Sequence, residues 1–107
     1  MSDAANRNEA GKLVRARLII TGRVQGVYFR ANTVDVATAH NVGGWVKNRP
    51  DGAVEAVVEG RWEAVSKVIE WCRVGPPKAR VDDVELIWEV YADEFDSFTA
   101  LTRHNEY

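Results

Sequence analysis

Between Leu13 and Thr21 the even positions Val14, Ala16, Leu18 and Ile20 are all apolar, and the odd positions include Arg15 and Arg17. A period of two sends alternate side chains to opposite faces, so this stretch reads as a strand with one buried side. Past a short glycine-bearing loop the period changes. Phe29, Thr33, Val36, Ala37 and His40 recur at helical spacing, with Asn32 and Asp35 elsewhere on the surface. Gly43 and Gly44 end that helix. A strand that hands over to a helix needs further strands to close the layer, and the chain supplies four more.

Gly44–Asn48 and Ala53–Gly60 read as two strands of a hairpin. Between them lies Arg49-Pro50-Asp51-Gly52, where proline fixes φ and Asp-Gly accepts the reversal. Val54, Ala56 and Val58 alternate with Glu55, Val57 and Glu59, which predicts one buried face. A second helix is predicted over 61–73, with Trp62, Val65, Ile69 and Cys72 on one stripe and Gly75-Pro76-Pro77 as its stop. Residues 80–91 return to strand, Val84, Leu86, Trp88 and Val90 forming the apolar set. Asp82-Asp83 breaks that pattern in the manner of a bulge or a bend. Residues 98–102 make a last short strand. The order β-α-β-β-α-β plus a final strand defines two split βαβ units, an α/β (α+β) ferredoxin-like sandwich: an antiparallel sheet with both helices on one face.

The 107 residues suffice for one domain, and an apolar share of 46% allows a core without staples. The polar, aperiodic residues 1–11 read as a flexible tail, and the domain is expected over 12–103. A formal net charge of −2, with both signs interspersed, argues against nucleic acid as a partner. No apolar run approaches the roughly 20 residues of a membrane span, so no membrane partner is expected. Residues 1–11 hold no apolar stretch that could serve as a signal, and the single cysteine, Cys72, cannot form an internal disulfide. The expected location is the cytoplasm.

The loop that joins the first strand to the first helix is Gly22-Arg23-Val24-Gln25-Gly26-Val27-Tyr28-Phe29-Arg30. Amides at a strand–helix junction point outward without intrahelical partners. Gly22 and Gly26 tolerate positive φ and let the backbone curl into a nest of N–H groups. Arg30 sits in the first helical turn, and a guanidinium matches two phosphate oxygens at once. Two readings stay open on this physics: a dianion receptor, or a turn whose glycines serve only the reversal while Arg30 is solvated. A nucleotide loop is excluded, because neither G-x-x-x-x-G-K-[ST] nor G-x-G-x-x-G is present.

Two stretches in register resemble the acylphosphatase family. GRVQGVYFR fits its G-x-V-Q-G-V-x-F-R signature. Gly44, Trp45, Val46, Asn48, Gly52 and Val54 fit its G-W-V-x-N-x-x-x-G-x-V segment, and GPPKARV at 75–81 is a weaker third match. The resemblance runs from about Lys12 to Tyr91. It implies the ferredoxin-like fold and hydrolysis of the carboxyl–phosphate anhydride of acyl phosphates, with no metal or organic cofactor. Arg30 and Asn48 then fall on the catalytic positions. The phosphate-binding segment falls on Gly22, Arg23, Val24, Gln25, Gly26 and Val27, together with Arg30. Inorganic phosphate is the expected product and competitive ligand, and the expected state is a monomer. The chain departs from the family pattern after Asn48, where Arg49-Pro50 places no hydroxyl beside the asparagine. Its last strand, FTALT, is also less apolar than the family's.

Other chemistry-bearing residues have plainer readings. His40 closes a helix stripe and His104 lies near the end of the chain, neither with a serine or cysteine partner. Cys72 is a core residue with no nearby basic cluster to activate a thiolate. Trp45, Trp62 and Trp88 read as core or half-buried, and Trp71 as partly exposed. Asp82 and Asp83 are adjacent on a strand and point to opposite faces. No set of His, Cys and carboxylates has metal-ligand spacing.

Overall fold

The computed structural model describes residues 11–102. The tail expected over 1–11 lies outside these residues except for Gly11, and so do Arg103 and His104. The elements are β1 (Leu13–Arg23), α1 (Phe29–Ala39), β2 (Gly43–Asn48), β3 (Val54–Arg61), α2 (Trp62–Val74), β4 (Arg80–Glu89) and β5 (Phe98–Ala100). They form one five-stranded sheet in the order β4-β1-β3-β2-β5. β1 lies between β3 and β4, antiparallel to both, and β2 is antiparallel to β3. The short β5 joins β2 in parallel, Gly44 facing Phe98, so the fifth strand makes the sheet mixed. This is the ferredoxin-like α+β fold that the periodicities predict.

The core forms where the apolar faces meet. Ala16, Leu18 and Ile20 of β1 stand beside Val58, Ala56 and Val54 of β3, all fully buried. α1 covers them with Phe29, Thr33 and Ala37, and α2 with Val65, Val68, Ile69 and Cys72. The buried hydroxyl of Thr33 donates back to the carbonyl of Phe29 at 2.7 Å, which satisfies it within the helix. Trp62 was expected on the stripe of α2, yet it is 44% exposed, and Val68 takes the buried position instead. Trp88 is likewise 50% exposed. Both line one cavity together with Leu13, which is also exposed.

The outer face of the sheet is not uniformly wet. Val57 is fully buried there although its neighbours in the alternation are glutamates. Arg17 and Trp45 flank it across the sheet, and the Arg17 guanidinium lies 5.7 Å from the Trp45 ring centroid, closing over the valine. Glu59 is 5% exposed. Its carboxylate accepts N–H bonds from Ala92 at 2.7 Å and Glu94 at 2.9 Å and lies 3.5 Å from Arg15. A glutamate thus pins the irregular segment between β4 and β5, which a two-faced strand pattern does not reveal.

The bulge expected at Asp82-Asp83 is present. Thr21 faces Asp83 but Gly22 faces Val81, leaving Asp82 as the extra residue. Gly22 has φ 126, and a Cβ there would lie 2.1 Å from the Arg80 carbonyl oxygen. Only glycine lets β1 run this close to the bulged strand. β1 therefore continues through Gly22 and Arg23 before the chain leaves the sheet.

Candidate active site

Five residues, Val24 to Tyr28, remain between the end of β1 and the start of α1. Val24 and Val27 are buried and hold the loop down by its apolar side chains. Gly26 has φ 74 and Tyr28 has φ 66 with ψ 24, both left-handed. Left-handed residues in such a loop turn successive N–H groups to a common side and make a concave nest. Tyr28 is also the N-cap of α1, and no side chain caps the helix. The first-turn amides are therefore left without a side-chain acceptor.

Phe29 anchors the helix start. It is 1% exposed, and its ring lies 5.4 Å from that of Trp71 at 59°. Trp71 is accordingly half-buried. With Phe29 fixed, the next residue, Arg30, projects toward the end of the sheet. Its Nη1 donates to the Leu101 carbonyl oxygen at 2.9 Å, and the Leu101 N–H donates to the Val46 carbonyl oxygen at 2.8 Å. The guanidinium is thus fastened to backbone that hangs from β2. Among the described residues no carboxylate lies within ion-pair distance of it.

Asn48 is the last residue of β2 and pairs with Val54. The turn after it is closed by Arg49 N–H to Ala53 O at 2.8 Å and by Asp51 Oδ1, which accepts from the Ala53 N–H at 3.0 Å. The Asp51 carboxyl titrates below its usual range because of that N–H bond, aided by Arg49 at 2.8 Å. The Gln25 side chain reaches across from the loop. Its Nε2 donates to Arg49 O at 2.8 Å and to Ala53 O at 3.0 Å. Sequence reasoning placed Gln25 in the anion loop for its backbone and missed this bridge. A side-chain amide spans such a gap, but nothing local specifies its partner.

Arg30 and Asn48 open into one cavity of about 440 Å³, with Gly26 and Tyr28 on the loop side and Ala100 and Thr102 at the far edge. Gly22 and Arg23 stand apart from it, paired in the sheet with Val81 and Arg80. Val24 lines it, while Gln25 and Val27 hold the loop from outside. Two cavities of about 540 and 520 Å³ lie elsewhere and contain neither Arg30 nor Asn48. His40 lines the first of them, remote from this chemistry. Cys72 is buried, and desolvation pushes its thiol up to about 12, so it supplies no nucleophile. Among the described residues no group of His, Cys, Asp and Glu is arranged to hold a metal ion.

A left-handed strand–helix loop on a ferredoxin-like sandwich, with an arginine and an asparagine lining one hollow, is the architecture of a small hydrolase domain. A sequence profile of the family described as Acylphosphatase matches residues 16–100. An acylphosphatase of Pyrobaculum arsenaticum is 58% identical over 84% of this chain and 96% of its own length. One of Pyrobaculum calidifontis is 57% identical over 84% and 83%. The crystal structure of acylphosphatase from Bacillus subtilis superposes with a TM-score of 0.80 at 34% identity, covering 83% of this chain and 99% of that one. The chain belongs to the acylphosphatase family, and it is a hydrolase acting on acid anhydrides. No described helix is long and apolar enough to cross a membrane.

Proposed function

We propose that the loop amides of 24–28 and Arg30 hold the phosphoryl group of an acyl phosphate while Asn48 orients the attacking water. The observation that carries this reading is the shared cavity of Arg30 and Asn48 beneath the left-handed loop. Water attacks phosphorus, the P–O bond to the acyl oxygen breaks, and the bonding pair leaves on the carboxylate. Because that leaving group is already a weak base, little acid catalysis is needed. The task is to stabilise charge on the equatorial oxygens and to hold the water in line. The loop N–H groups and the guanidinium do the first.

Asn48 does the second through its amide oxygen, which accepts a hydrogen bond from the water. Among the described residues its carboxamide has no hydrogen-bond partner, which leaves it available. An amide is too weak a base to remove the proton, and among the described residues no histidine or carboxylate lines the cavity. The water's proton therefore passes to a phosphate oxygen, and the products are carboxylate and inorganic phosphate. Phosphate, held by the same groups, competes with substrate. The active form in this scheme is a monomer.

The test is phosphate release from benzoyl phosphate with inorganic phosphate as competitor. Arg30→Gln should abolish turnover and weaken phosphate inhibition. Asn48→Ala should lower kcat by roughly 10²–10³ with phosphate inhibition nearly kept. An Asn48→Ala enzyme within about threefold of wild type would remove the water-orienting role, since a transition-state hydrogen bond is worth far more than that.

A further inference from the structure

The signature loop has an open position between two buried ones. Val27 is 3% exposed and Phe29 is 1% exposed, yet Tyr28 between them is 69% exposed. Its backbone takes φ 66 and ψ 24, a region that aromatic residues rarely occupy. The first turn of α1 holds the conformation. The Tyr28 carbonyl oxygen accepts from the Asn32 N–H at 3.1 Å and from Asn32 Nδ2 at 2.8 Å. Backbone strain that the surroundings over-determine in this way marks functional positions.

The ring is accordingly presented at the rim of the cavity that contains Arg30 and Asn48. A second contact steadies it: Lys78 Nζ lies 5.9 Å from the ring centroid. Lys78 belongs to a short turn in which the Ala79 N–H donates to Pro76 O at 2.9 Å. The backbone carrying Lys78 is thus pinned, and the ring rests against it without entering the core.

Resting on the acyl phosphate reading, we propose that Tyr28, steadied by Lys78, is the acyl-group subsite and favours substrates with a planar aromatic acyl group. The phosphoryl end is taken by the loop amides and Arg30, so selection among substrates falls to whatever the acyl end meets as it leaves the hollow. Tyr28 is the aromatic surface on that rim, and a flat acyl group gains stacking on it that a methyl group does not.

The experiment compares kcat/KM for benzoyl phosphate with that for acetyl phosphate. Tyr28→Asn removes the ring but tolerates the left-handed backbone, and Tyr28→Phe keeps the ring. Tyr28→Asn should lower the benzoyl-to-acetyl ratio by about 3- to 10-fold, the worth of one aromatic pair. Tyr28→Phe should keep the ratio of the wild type, and Lys78→Met should lower it by a smaller factor. A ratio unmoved by Tyr28→Asn overturns the subsite, even if both rates fall together, because that is the signature of a loop-shaping role. A ratio unmoved by Lys78→Met alone removes Lys78 from the proposal. Wild-type protein that turns over neither substrate overturns the acyl phosphate reading and the subsite with it.

Discussion

Gln25 is hydrogen-bonded to Arg49 across the gap between the two site-bearing segments, its Nε2 donating to the Arg49 carbonyl oxygen at 2.8 Å. Arg49 follows Asn48 directly, so this bond, with its companion to Ala53 O, ties the loop of 24–28 to the turn that ends the asparagine's strand. Gln25→Ala should cost about 1–3 kcal/mol of stability for the lost bonds and reduce kcat more than it weakens phosphate inhibition. Gln25→Glu should be worse than Gln25→Ala, because an ionised carboxylate cannot donate and would face two carbonyl oxygens. Thermal melts and phosphate release on both variants check the order. Equal effects would mean that the amide's donors matter little.

Gly26 separates strain from space. Its φ is 74, yet a Cβ built there meets nothing within 4 Å. Gly26→Ala should therefore fold, losing only about 1–2 kcal/mol for an L-residue in the left-handed region. If the loop relieves that strain by flattening, the N–H groups diverge and phosphate inhibition weakens. The paired measurement is a melt and a phosphate inhibition constant. A variant with wild-type phosphate affinity would mean that the nest does not depend on the backbone at 26.

The elements with one wet and one dry face were legible in the sequence, and those whose second face is covered by a distant segment were not. β1 announces itself through Val14, Ala16, Leu18 and Ile20, and the bulge at Asp82-Asp83 shows as a break in alternation. Val57 and Glu59 read as ordinary outward positions, because the Arg17–Trp45 cover and the Ala92–Glu94 segment come from elsewhere in the chain. Trp62 lies at helical spacing with the buried stripe of α2, yet the helix begins there, beyond the reach of a covering layer. At the site, the family motifs carried Arg30 and Asn48. The Leu101 carbonyl that fastens Arg30 and the Gln25 bridge are long-range pairings with no local signature.

His40 is expected to play no part in the pH dependence. His40, the histidine among the described residues, lines a different cavity from Arg30 and Asn48. His40→Ala should leave the pH profile of kcat between about 6 and 8 unchanged, a range in which an unperturbed imidazole would otherwise show. The check is a full profile on both proteins. A limb that disappears in His40→Ala would mean that proton transfer involves a group the cavity does not contain.

Acid should loosen the segment between β4 and β5 through Glu59. Burial by itself would raise the Glu59 carboxyl, but the N–H bonds from Ala92 and Glu94, with Arg15 nearby, outweigh it and hold the group below its usual range. A carboxyl depressed in the folded state binds its proton more readily once unfolded. Its contribution is thus full above the ordinary glutamate value of about 4.3 and is lost as pH falls through the lower folded value. Glu89, depressed by its bonds from Arg17 and Arg15, adds a contribution of the same sign. Glu59→Gln should destabilise the protein by about 1–3 kcal/mol at pH 7, since an amide offers one acceptor oxygen where two N–H donors need partners. The difference from wild type should narrow below about pH 4 as the native carboxyl protonates. Denaturant melts at pH 7 and pH 3 measure both gaps. A difference that stays constant with pH would show that Glu59 holds the segment by shape and not by charge.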